Sequence, residues 1–186
     1  MVDEHSHAEP YHHDESDAAP STAAVGGHPI HPMLVLFPVA FLIGALATDI
    51  AYASVLDPMW ASFSFWLIAA GLVMGVLAAI VGAVDFWTID RARQGTDGWM
   101  HFIGNGVVLV LAAVSLGFRW VQPVDFVVPW GLVLSTVITV LLLITGWYGG
   151  ELSYRHRIGV APQRPHPSSI RIIRAGEEPE QRRRSA

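Results

Sequence analysis

The sequence predicts an all-α, polytopic membrane protein: a four-helix transmembrane bundle flanked by disordered tails. Three observations carry this expectation. Of the 186 residues, 52% are apolar and only 15% charged, where an ordinary soluble domain has about a quarter charged. The charges are also segregated, since two thirds of them fall in residues 1–32 and 151–186 and leave the middle of the chain nearly bare. That middle breaks into four apolar runs, each of about the 20 residues that span a ~30 Å hydrocarbon core as a helix. A soluble globular enzyme does not fit this pattern.

The runs cover about Met33–Val55, Met59–Val84, Trp99–Phe118 and Phe126–Gly150. Leu56-Asp57-Pro58 and Gln122-Pro123-Val124-Asp125 read as tight turns between them. The longer break, Asp90 to Gly98, is polar and holds Arg91, Arg93 and Asp97. Trp60, Trp66, Trp87, Trp99, Trp120, Trp130 and Trp147 gather near the expected membrane edges, as amphipathic rings do at the headgroup level. Four spans put both termini on one side. That side also carries Arg91, Arg93, Arg155, Arg157 and Arg164, while the other has only Arg119. The positive-inside rule then makes both termini cytoplasmic.

Residues 1–27 are acidic and His-rich without a core-forming pattern, and residues 161–186 are rich in proline and arginine; both read as disordered. The acidic opening lacks the apolar stretch of a signal peptide, so the first span is expected to act as an uncleaved anchor. Residues 28–160 form the membrane domain. No internal repeat is visible in the sequence. The absence of cysteine removes disulfides, thiolate metal sites and thiol nucleophiles. A net charge of −5 and the lack of a basic, aromatic-interleaved stripe argue against nucleic acid as a partner.

The candidate functional residues share one side. His28 and His31 open the first span and Asp85 closes the second. Arg91 and Arg93 follow, His101 opens the third with Asn105 one turn on, and Glu151, Tyr154 and His156 close the fourth. Pro32 is expected to start the first helix, with His31 at its cap. The positive end of the helix dipole there favours neutral imidazole, the form that binds metals and haem iron. His101 lies under the same bias. The candidate cofactor ligands are therefore His31, His101 and, ranked lower, His156; a bare metal ion is assigned to His28, His31 and His101. A haem b or a transition metal is the expected cofactor. Asp85 is expected to pair with Arg91, Arg93 or Arg155. The tail histidines His5, His7, His12 and His13 read as a solvated tract.

Asp49 stands apart, about two turns inside the first span. A charged carboxylate at that depth is costly, so it should face the bundle interior or stay protonated, with Thr48, Ser135, Thr136 and Thr139 as candidate partners. Gly71 and Gly75, extended by Gly82, form a small-xxx-small pattern, and Gly146, Gly149 and Gly150 do so in the fourth span. Such glycines let helices approach closely or leave room for a flat cofactor.

Three strings together, His28 to Pro38, Asp85 to His101, and Gly149 to Val160, resemble the bacterial four-helix domain-of-unknown-function family 2231. The resemblance covers about residues 26–161. It implies the fold and a bacterial inner-membrane location, and places His31, Asp85, His101, Tyr154 and His156 on motif positions. Leu36 departs from it, standing where many members carry a histidine. The resemblance implies no activity. Three functions compete: a haem- or metal-binding subunit of an electron-transfer chain, working with a redox partner or a second copy; a structural membrane protein with a polar clamp at its cytoplasmic face, the structural cluster being Asp49, Asp85, Arg91, Arg93, Asn105, Glu151 and Tyr154; and a solute or ion transporter resting on Asp49. No nucleophile–base pair or phosphate-binding loop supports an enzyme.

Overall fold

The computed structural model describes residues 18–160. Four helices long and apolar enough to cross a membrane occupy Ile30–Val55, Pro58–Thr88, Thr96–Val121 and Val127–Arg155. The first two are α1 and α2. A short amphipathic helix, α3 (Asp90–Gln94), precedes α4 (Thr96–Val121). The fourth span has α5 (Leu132–Gly150) at its centre, entered through a kinked, widened turn at Val127–Gly131 and left through another at Glu151–Arg155. A tiny hairpin, β1 (Ala24–Val25) with β2 (His28–Pro29), leads into α1.

The local signals that start and stop the helices are visible. Leu56 ends α1 in the left-handed conformation, and the Asp57 carboxylate accepts a hydrogen bond from Met59 N at 2.9 Å with Pro58 in the first turn of α2. Two shifted boundaries bear on the histidines. The helix α1 starts at Ile30 after Pro29, so His31 lies inside the first turn instead of capping it. The helix α4 starts at Thr96, which puts His101 in the second turn. Hydroxyls that face apolar surroundings bond to their own helix: Thr48 to Gly44 O and Ala45 O, Ser54 to Ile50 O, and Thr136 to Leu132 O.

Going around the bundle, α1 packs on α2 and α5, and α4 packs on the same two neighbours, so α1 and α4 face each other across a diagonal. Leu42, Ala45, Ile68, Val108, Ala112, Ile138 and Leu142 fill the centre. Gly71 admits Leu42, whose Cγ would lie 2.9 Å from an added Cβ, and Gly75 admits Leu109 of α4 at 2.6 Å. The large apolar side chains outside this core point away from the bundle, as a lipid-facing surface requires.

The burial pattern contains a repeat that the residue types conceal. On α1 the buried positions include Pro38, Leu42, Ala45 and Asp49; 70 residues on, α4 buries Val108, Ala112, Ser115 and Arg119. On α2 they include Ser64, Ile68, Gly71, Gly75 and Ala78; 67 residues on, the fourth span buries Gly131, Ser135, Ile138, Leu142 and Thr145. The hairpin α1–α2 is thus the pseudo-two-fold mate of α4–α5. Scarcely any residue is identical between the two sets, which is why no repeat shows in the sequence.

The expected tails lie outside the described residues, except for residues 18–27. Those ten run as a strap over the end of α2. The Asp85 carboxylate accepts from Ser21 Oγ at 2.7 Å, Thr22 N at 2.9 Å, Thr22 Oγ1 at 3.0 Å and Ala23 N at 2.9 Å. Ala19 pairs with the chain beyond α5, through Ala19 N to Arg157 O at 3.1 Å and Gly159 N to Ala19 O at 2.8 Å. Asp85 therefore holds backbone and hydroxyl donors; Arg93 pairs with Asp90 and Arg155 with Glu151 instead.

Candidate functional site

The two histidines that open α1 and α4 meet inside one end of the bundle. Their ring centroids are 6.2 Å apart and the ring planes are nearly perpendicular, at 86°. Each ring is seated the same way on the neighbouring helix. His31 Nδ1 is 2.9 Å from Ala78 O, and a Cβ on Gly82 would lie 2.8 Å from the ring. His101 Nδ1 is 2.8 Å from Thr145 O, and a Cβ on Gly149 would lie 2.8 Å from that ring. Ala78 and Gly82 are the repeat equivalents of Thr145 and Gly149, so the seats are related by the pseudo-two-fold. Gly82 and Gly149 serve here as beds for imidazole rings, which no other residue type would leave flat.

A carbonyl oxygen only accepts, so Nδ1 donates in both rings, and in a neutral imidazole so held the lone pair is on Nε2. The helix dipole is the weaker argument for His101, one turn deeper than expected; the Thr145 carbonyl does the orienting. One asymmetry breaks the pair. Asn105 Nδ2 donates to His101 O at 2.7 Å and lies 3.4 Å from His101 Nδ1, and Thr145 Oγ1 reaches Asn105 Oδ1 at 3.5 Å. The equivalents on the His31 side are Val35 and Ala78, which offer no such side-chain polarity.

The other expected ligands do not join this pair. His156 Nε2 lies 3.0 Å from Asp97 Oδ2, tying the chain after α5 to the start of α4. His28 is exposed in β2, with Nδ1 3.1 Å from Gly26 O. Among the described residues no group of three or more His, Cys, Asp or Glu is placed to hold a metal ion, so the His28–His31–His101 triad is not assembled. Tyr154 is exposed and Glu151 bonds Arg155 at 3.2 Å. Arg91 lies on α3. Arg93 donates to Phe86 O and stands over the Trp87 ring at 5.7 Å. Beside it Phe86 stacks on Phe102, with centroids 4.4 Å apart.

Asp49 belongs to the other end of the bundle. Its carboxylate receives Arg119 Nη1 at 3.0 Å, Arg119 Nη2 at 2.7 Å and Ser135 Oγ at 2.6 Å, and both charged side chains are 0% exposed. Arg119 Nε adds a bond to Ser115 Oγ at 3.3 Å. Gly131 makes room for the guanidinium, since a Cβ there would fall 2.6 Å from Nη2. Of the four hydroxyls expected near Asp49, only Ser135 reaches it; Thr48 and Thr136 bond their own helices and Thr139 Oγ1 is buried without a partner. Arg119 itself was assigned to the loop beyond the third span. The signal that identifies it is positional: Asp49 follows His31 by 18 residues and Arg119 follows His101 by 18.

Residues 27–162 match the family described as "Predicted membrane protein (DUF2231)". The chain belongs to that family. No curated protein and no solved structure matches it. It is a membrane protein with four candidate spans, and the histidine pair lies between two of them, α1 and α4.

Proposed function

We propose that this protein holds one b-type haem between His31 and His101 and passes electrons to a redox partner. The carrying observation is the 6.2 Å centroid separation of two imidazoles whose Nδ1 atoms are both tied to carbonyls. Two bonds of about 2 Å from a metal to facing imidazole nitrogens, extended to the ring centres, give a separation of about 6 Å. A backbone carbonyl on the remote nitrogen is also the usual device that orients a ligating histidine. The ligand count favours haem over a bare ion. Zinc takes four protein ligands, or three and a water, whereas a tetrapyrrole brings its own equatorial nitrogens and asks only for axial ones.

The haem end faces the cytoplasm in this reading. Arg91, Arg93, Arg155 and Arg157 lie at that end, and Arg119, the one basic residue of the opposite end among the described residues, is neutralised inside the bundle and does not count as loop charge. A periplasm-active reporter fused at Asp57 or Gln122 is then active, and one fused at Gln94 silent; the reverse pattern refutes the orientation. The cofactor is tested by absorption spectra of detergent-purified protein from haem-replete cells, oxidised and reduced. Wild type shows a Soret band that sharpens on reduction, His31→Ala and His101→Ala lose it, and His28→Ala and His156→Ala keep it. Wild type without haem absorption ends the proposal, and stoichiometric copper without a Soret band replaces it by a linear two-histidine ion site.

A further inference from the structure

The Asp49–Arg119 pair has a distribution of parts that the histidine pair lacks. Arg119, Ser115, Ser135 and the space at Gly131 all belong to the α4–α5 hairpin. The α1–α2 hairpin supplies one group, the Asp49 carboxylate. At the equivalent positions of α1–α2 stand Ala45 for Ser115, Ile68 for Ser135 and Ser64 for Gly131. One hairpin is therefore a carboxylate receptor and the other carries the carboxylate.

The pseudo-two-fold gives this asymmetry a purpose. Because both hairpins bury the same positions, either one has the shape to pair with its own kind. At the histidine end such a mistake has no cost in charge, since His31 against a second His31 resembles His31 against His101. At the other end it is severe. Two α1–α2 hairpins would bring two Asp49 carboxylates together, and two α4–α5 hairpins two Arg119 guanidiniums, away from water, where like charges repel far more strongly than at a surface. Fixing register and partner is also the best-attested use of a buried ion pair, because its net contribution to stability is small once desolvation is counted.

We infer that the α4–α5 hairpin is a recognition surface that reads the Asp49 carboxylate of an α1–α2 hairpin, in its own chain or in a second copy, and that the charges keep like hairpins apart. The inference does not depend on the haem. The chain has no cysteine, so a single introduced thiol reports contacts without ambiguity. Ala45→Cys lies four residues before Asp49 on the seam between the hairpins, 1% exposed.

In full-length protein carrying Ala45→Cys, a short thiol cross-linker in native membranes gives no 45-to-45 product. Adding Asp49→Leu and Arg119→Leu together removes the charge rule, and the cross-linked dimer appears. No dimer from that variant at wild-type membrane yield overturns the inference. Should its yield collapse, a second measurement decides. Tagged full-length Asp49→Arg is co-expressed with untagged full-length Arg119→Asp. Exchange of hairpins gives every carboxylate a guanidinium, so the untagged chain is retained with the tagged one. Tagged and untagged copies of Asp49→Arg alone are not retained together. Equal retention in both experiments, or none in either, overturns it.

Discussion

At each end of the bundle, α1 and α4 offer one another a single polar residue from equivalent positions, yet the two ends use that symmetry in opposite ways. At the histidine end the residues are alike, and each is anchored to its own neighbouring helix, His31 to Ala78 O and His101 to Thr145 O. At the other end the residues are unlike and direct their hydrogen bonds at each other and at the serines around them, sealed from solvent. The outward-tied pair is held to its neighbouring helices, whereas the inward-tied pair makes a lock. The 18-residue spacing sets the two about 27 Å apart along the helices, close to the thickness of the hydrocarbon core.

The largest effect comes from opening the lock. Arg119→Leu strands a buried carboxylate, a loss of about 3–5 kcal/mol that shows as reduced membrane yield and a lower detergent melting temperature. Asp49→Asn keeps an acceptor for Ser135 but strands the guanidinium, and falls in the same range. Wild-type melting in either variant would mean that the pair is not the lock described here.

Filling a histidine seat comes next. Gly82→Val pushes into the His31 ring, with an overpacking cost of about 1–3 kcal/mol. Under the haem proposal it abolishes haem absorption, while the Asp49–Arg119 end stays closed to thiol labelling through Ala45→Cys. Labelling at Ala45→Cys that rises with the loss of haem absorption would make the ends one cooperative unit. Asp85→Ala follows, releasing four hydrogen bonds to the strap. Its effect is local, about 1 kcal/mol, because part of that bonding is recovered from water. Amide exchange accelerates at residues 18–27 and not in α5; uniform acceleration would contradict a local strap. The smallest change is Arg155→Ala, which removes an exposed pair with Glu151 and shifts melting by no more than a few tenths of a kcal/mol.

What the sequence discloses and what it conceals divide along the same line as the two ends. Four apolar runs, charge-free but for Asp49 and separated by Asp-Pro and Gln-Pro turns and the polar Asp90–Gly98 loop, are a one-dimensional signal, and the four helices follow from them. Two histidines at the starts of alternate spans also need no three-dimensional information, since such starts return to one face. The partner of Asp49 needs depth. Arg119 sits near the end of its run, where a charge ordinarily marks the water boundary, and nothing local says that the side chain turns back into the bundle. The strap is concealed for the opposite reason. Residues 18–27 are mostly small, with Ser21 and Thr22 their only polar side chains and no periodicity, and they are ordered by a carboxylate more than 60 residues away. The repeat is hidden because packing conserves which positions are buried, while Leu42 and Ala112 differ in size and Asp49 and Arg119 in the sign of their charge.

The seating of His31 on Gly82 makes one end of the molecule a vernier for the other. Gly82 stands 25 residues beyond the Asp57 turn, about 37 Å along α2. If that turn gained one residue, α2 would slide by about 1.5 Å and rotate by about 100° against α1. Val81 or Ala83 would then face the imidazole, and the Ala78 carbonyl would leave Nδ1. A length error at one membrane surface would be read at the opposite surface as the loss of a ring's resting place, with no residue of the histidine pair altered.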